Sequence, residues 1–232
     1  MVDDFSQRIT AVFKPIHHSR KGSEKMHEAR TATSQPGPLL SPQLLGSLGQ
    51  LNRRFLDLAG ARRGAGGPEW GLSAPSDLAR RIALLSDERR SALSLCPYAL
   101  FDIRFCDDAH WQLSLQSGPR WSVADLPAPN PQIAEFLQLA LFYCWHLAQT
   151  QPLSAPLILG MAERTARELG RVTLDRLPAL IGSQRHHLSL RWANRRSFWC
   201  ALTSAASCPG STNLRRAQLF GLQIAAAARL SN

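Results

Sequence analysis

Leu44, Leu48, Leu51, Phe55 and Leu58 recur at spacings of four and three, which lays one narrow apolar stripe along a helix running to about Arg63. Ser41 followed by Pro42 marks its start. The hydroxyl can cap free amides, and proline at the first helical position loses a donor that would be unpaired anyway. Such a stripe faces the core of its own chain, or else Leu44, Leu48, Leu51, Phe55 and Leu58 form the seam of a coiled-coil-like oligomer. Gly64 to Pro68 ends the helix. Two more helices are predicted from about Pro75 to Leu85 and from Ser86 to Leu95; Asp87 and Glu88 suit the positive start of the second, and Pro97 closes the set.

The period then changes. Ala99, Phe101, Ile103 and Phe105 alternate with Asp102 and Arg104, and Trp111, Leu113 and Leu115 alternate with Gln112 and Ser114. Two short strands joined by Cys106 to His110 predict one small β-hairpin over about 98–116. A lone hairpin is marginal, so it must lie on the helices or pair with another copy. A Pro-bearing connection, Gly118 to Pro129, is the best subdomain boundary. Asn130 and Pro131 open a helix that is apolar nearly all round and therefore central to a second core. Helices follow at Ser154 to Gly170, Leu174 to Ile181, Leu188 to Ala206 and Thr212 to Leu230. The fold class is mainly α, a helical bundle of about eight helices with one small β-hairpin.

The pattern divides the chain into an N-terminal segment (1–38), a helical subdomain with the hairpin (39–117) and a basic helical subdomain (130–232). Within the first, Phe5, Ile9, Val12, Phe13 and Ile16 fall at helical spacing. His17 to Pro38 has almost no large apolar side chain, so burial cannot offset the cost of ordering its backbone, and it reads as a disordered linker or extension.

Composition narrows the function. With 232 residues, 44% hydrophobic, the chain can bury a substantial core. Mean hydropathy is −0.17, and no apolar run reaches the roughly 18 to 20 residues of a membrane span, so no membrane partner is expected. Asp3 and Asp4 are the wrong chemistry for a secretory signal, which makes a cytoplasmic location the expectation. Cys96, Cys106, Cys144, Cys200 and Cys208 include no C-x-x-C pair and read as free thiols, with Cys144 and Cys200 small hydrophobes among aromatic neighbours.

Net charge is +10, and its position matters more than its size. Nine arginines and one acid, Asp175, lie from Arg171 onward, so that stretch carries +8. Such a field attracts polyanions and acidic proteins alike. A GC-rich coding bias accounts for Arg over Lys (24 against 3) but not for the missing acids. The segment Leu190 to Trp199 interleaves arginine with aromatic residues; read as a helix, it places Trp192 and Trp199 on one face and Arg191 and Arg195 on another. Arg191, Arg195, Arg196, Arg215 and Arg216 are accordingly the candidate nucleic-acid-binding residues. The competing reading makes the tryptophans core anchors and the arginines a solvated rim.

His17-His18, His110 and His186-His187 invite a metal reading, but adjacent histidines cannot share one helix face, and solvated or structural roles fit better. Asp102, Asp107 and Asp108 gather near the expected hairpin, where turn chemistry explains Asp107 and Asp108. No phosphate-cradling, dinucleotide, zinc-protease or nucleophile-elbow motif occurs, so neither an enzyme nor a cofactor is expected.

Leu51-Asn52, Phe55-Leu56, Leu58-Ala59, Gly71-Leu72, Leu84 to Ser86 and the run Ala99-Leu100-Phe101-Asp102-Ile103-Arg104-Phe105-Cys106-Asp107-Asp108 share an order of features with a known family. Residues 44–108 resemble the flagellar transcriptional master-regulator subunit FlhD, a small helical bacterial protein. The resemblance implies an oligomeric transcriptional co-regulator acting through a partner subunit. Protein assembly is thus the first expectation for function, and direct nucleic-acid binding the second.

Overall fold

Helix α1 (Pro42–Ala61) begins where its cap predicts, with the Leu44 amide donating to Ser41 Oγ at 3.2 Å. In this computed structural model the described residues are 41–61, 72–116, 130–207 and 212–230, with 228–230 described by backbone alone. The expected N-terminal helix and linker, the Gly64 to Pro68 stop, the 118–129 connection, His17-His18 and Cys208 lie outside them. Leu44, Leu48, Leu51 and Phe55 are buried, and Leu58 is half-buried against the core. They meet α2 (Ser76–Ala83), α3 (Asp87–Ser94) and α5 (Pro131–Thr150) of the same chain. The stripe is therefore spent inside its own fold and is not an oligomer seam. Apolar area already removed from water has nothing further to gain from a second copy.

The sequence caps of two later helices also form. Ser86 Oγ accepts from the Arg89 amide at 3.3 Å at the start of α3, and Asn130 Oδ1 accepts from the Gln132 amide at 2.9 Å at the start of α5. Helix α5 buries one broad face from Ile133 to Ala148, and Leu139, Phe142 and Trp145 outside that face are half-buried against the core, so it sits among the other helices as its largely apolar pattern requires. Phe136 on α5 meets Phe101 edge-on with centroids 5.1 Å apart, and Phe55 on α1 lies 5.8 to 5.9 Å from both. This aromatic knot joins residues from either side of the expected subdomain boundary. The described residues share one compact unit and one hydrophobic core.

The fold is mainly α, but the small sheet is not the expected hairpin. Strand β1 (Leu72–Ser73) pairs parallel with β3 (Leu188–Leu190), which pairs antiparallel with β2 (Phe101–Asp102), in the order β1-β3-β2. Residues expected to form the second strand instead make α4 (Asp108–Gln116). Over five residues the spacing i, i+2, i+4 suits either element. Trp111 and Leu115 are buried one helical turn apart while Leu113 is 64% exposed, so the tertiary environment selected the helix.

The second half continues with α6 (Ala155–Leu159), α7 (Glu163–Gly170), a 3₁₀ turn (Leu174–Arg176) and α8 (Leu177–Gln184). After β3 come α9 (Arg196–Ala206) and α10 (Thr212–Leu230), which pack together. The expected helix from Leu188 thus starts eight residues late. Leu188 and Leu190 are buried with Ser189 between them half-exposed, a strand pattern, and Trp192 turns the chain at φ 54°. Among the described residues no helix is long and apolar enough to cross a membrane.

Candidate interaction surface

The five candidate arginines do not form one face. Arg191 is only 5% exposed. Its guanidinium donates to the Ile158 carbonyl at 2.5 Å and the Ala99 carbonyl at 3.4 Å, and lies 4.4 Å from the Trp192 ring. Burial lowers it to about 10, with Asp102 opposing that shift. Because β3 replaces the first turns of the expected helix, Arg191 points into the protein and cannot reach a phosphate. Gly160 makes room for it: this residue has φ +90°, and a Cβ there would stand 2.7 Å from Arg191 Nη2.

Arg195 and Arg196 are exposed at the start of α9, with Arg196 3.7 Å from Asp77. Arg215 and Arg216 are exposed on α10, and among the described residues no carboxylate pairs with either. Arg215 lines the most evident unspent apolar surface, and Arg216 follows it on the same helix.

That surface is an open groove of about 390 Å³ lined by Leu45 and Gly46 of α1, Leu95, Cys96 and Pro97 after α3, and Arg215, Gln218, Leu219 and Leu222 of α10. Leu45, Leu95 and Leu219 are 39%, 72% and 55% exposed. Leu44 and Leu45 are neighbours in sequence, yet only Leu44 belongs to the stripe; Leu45 points off it, and this was the missed signal. The α10 residues fall at i, i+3, i+4 and i+7, one continuous helical face. Sequence reading assigned that helix its arginines and overlooked its leucines.

Asn52 sets the loop side of the groove. Fully buried, its Nδ2 donates towards the carbonyls of Ser94, Cys96 and Tyr98 at 3.3, 3.3 and 3.0 Å, while its Oδ1 accepts from the Leu100 amide at 2.9 Å. One side chain thus straps residues 94–100 to α1. The Leu51-Asn52 element of the resemblance acquires a structural task that periodicity could not reveal. Gly221 sets the helix side: a Cβ there would meet Tyr98 Oη at 2.1 Å, so glycine lets α10 approach the buried tyrosine. Tyr98 is held in turn by Trp192, centroids 5.3 Å apart. Burial pushes the Cys96 thiol up to about 12, leaving it protonated and unreactive.

Elsewhere the carboxylates serve local structure. Asp102 Oδ1 accepts from the Phe105 amide and Asp107 Oδ1 from the His110 amide, both at 2.9 Å, while Asp107 pairs with Arg104 and Asp108 accepts from the Thr165 hydroxyl. His110 and His187 meet edge-on at 4.8 Å, and His110 Nε2 lies 3.2 Å from Gln184 Oε1. Among the described residues no three histidine, cysteine or acidic side chains gather as a metal site.

No protein-family model matches the chain, and no curated protein or solved structure matches it either. The site's own chemistry therefore carries the functional reading.

Proposed function

We propose that this chain works by assembling with another protein, as a helical co-regulator of bacterial transcription acting in the cytoplasm rather than as an enzyme. The observation that carries assembly is the gathering of exposed Leu45, Leu95 and Leu219 around one groove. Contiguous apolar surface is costly in water and characteristic of a docking site. The regulatory role draws on the resemblance of residues 44–108 to the FlhD family, which implies action through a partner subunit.

Light scattering of the purified chain at micromolar concentration, with pull-down by wild-type and Leu95→Asp/Leu219→Asp bait, tests the reading. Association that the double variant loses, while retaining its circular dichroism, is expected. A strictly monomeric chain whose wild-type and variant baits retain the same proteins overturns it.

A second reading, direct nucleic-acid contact, is favoured by Arg195 and Arg196. Two exposed cations stand at the positive end of α9, where the helix dipole disfavours them. Gel shift at low salt should then show binding that charge reversal at Arg195 and Arg196 abolishes. No shift at low salt removes this reading, because electrostatic binding is strongest there.

A further inference from the structure

We infer that the groove receives an acidic amphipathic helix of another protein, whose apolar side chains enter among Leu45, Leu95, Leu219 and Leu222 and whose carboxylates meet Arg215 and Arg216. This rests on the assembly reading and names the partner chemistry of the same surface.

The framing elements favour a helix. Arg215, Gln218, Leu219 and Leu222 present one helical face, and Leu45 with Gly46 presents the first turns of another. Space framed by two helices accepts a third through anchors at i, i+3, i+4 and i+7. Arg215 and Gln218 are the charged and amide-bearing side chains of the lining. A small-molecule site holds its ligand with several convergent polar groups, and a nucleic-acid interface is far more polar than a row of leucines.

Charge selects the sign. Helix α10 carries Arg215 and Arg216 in its first half without an acid, and the first half of α1 carries no charge. A two-fold dimer through this face would set these arginines against the same arginines of a second copy, which like-charge repulsion opposes. The half-buried acids of α7 do not offer an alternative within a second copy: Glu163 pairs with Arg167 and Glu168 with Arg164 of their own helix. A foreign helix rich in Asp or Glu satisfies both the leucines and the arginines.

Gly46 supplies a blocking variant, because a Cβ there meets no atom within 4 Å. The test titrates the full chain into three fluorescein-labelled synthetic helices and reads anisotropy. The first carries a leucine stripe with glutamates elsewhere, the second the same stripe with lysines, and the third the glutamates with the stripe changed to alanine. The first should bind about tenfold or more tighter than either other. Arg215→Glu with Arg216→Glu should reverse the preference between glutamate and lysine. Gly46→Trp should remove binding without lowering the melting temperature.

Equal binding of the lysine helix overturns the inference. So does equal binding of the alanine helix, or equally effective competition by a duplex DNA oligonucleotide, since the surface then reads charge alone. If none of the peptides binds but Leu95→Asp/Leu219→Asp still abolishes assembly in the light-scattering and pull-down experiment, the acidic helix is wrong and the assembly reading stands. If that variant also assembles normally, both fall.

Discussion

Asn52 and Arg191 are polar side chains taken out of water, and each is tolerated because backbone groups satisfy its polar atoms. Asn52→Ala leaves the Leu100 amide and the carbonyls of Ser94, Cys96 and Tyr98 without their partner. A loss of about 2–4 kcal/mol is expected, because buried polar groups left unmade cost more than a typical hydrogen bond contributes. Urea unfolding checks the value, and a loss below about 1 kcal/mol would mean that the strap is redundant. His187 offers a pH effect at the same scale. Burial, then His110, Arg104 and His186, lower it to about 4 from an ordinary 6.5, against the opposing Asp107. The unfolded chain therefore takes up the proton first as pH falls. The contribution from this residue is intact above about 6.5 and is lost progressively towards about 4. His187→Gln should flatten the stability profile across that window, and an unchanged slope in thermal melts would refute the assignment.

At the level of elements, α10 is placed by an absent side chain. Gly221→Ala must displace either the helix or Tyr98, since the new methyl would overlap the tyrosine hydroxyl. Glycine to alanine inside an exposed helix ordinarily stabilises by about 0.5–1 kcal/mol. Here the sign should reverse, with a loss of about 1–3 kcal/mol from overpacking. Thermal denaturation of Gly221→Ala beside Gly46→Ala checks both signs together, because the Gly46 position opens onto free space and should follow the ordinary trend. The pattern that located these elements was reliable where a capping side chain marked the helix start, as at Ser41, Ser86 and Asn130. It failed at Trp111 to Leu115 and at Leu188 to Leu190. Each run is too short for its periodicity to distinguish helix from strand, so partners distant in sequence decided.

Across the whole molecule, the aromatic contacts among Phe55, Phe101 and Phe136 tie together segments that a Pro-bearing connection separates in sequence. Strand β3 likewise sits between β1 and β2 from the other half. A single cooperative transition is expected. Trp111 and Trp199 are both fully buried and lie in opposite halves, so single-tryptophan variants retaining one or the other should report the same urea midpoint as far-UV circular dichroism. Separated midpoints would show two cores that unfold independently.

The sequence by itself determined the helical class, the starts of α1, α3 and α5, the central position of α5 and the positive field of the C-terminal region. Those properties follow from local spacing, capping chemistry and formal charge. Tertiary structure alone decided that the Leu44 to Leu58 stripe is consumed within the chain, that Arg191 is buried, and that Leu45, Leu95 and Leu219 stand together in the open. Burial depends on which distant elements share a neighbourhood, and a one-dimensional pattern specifies which residues can hide from water without specifying which of them find cover.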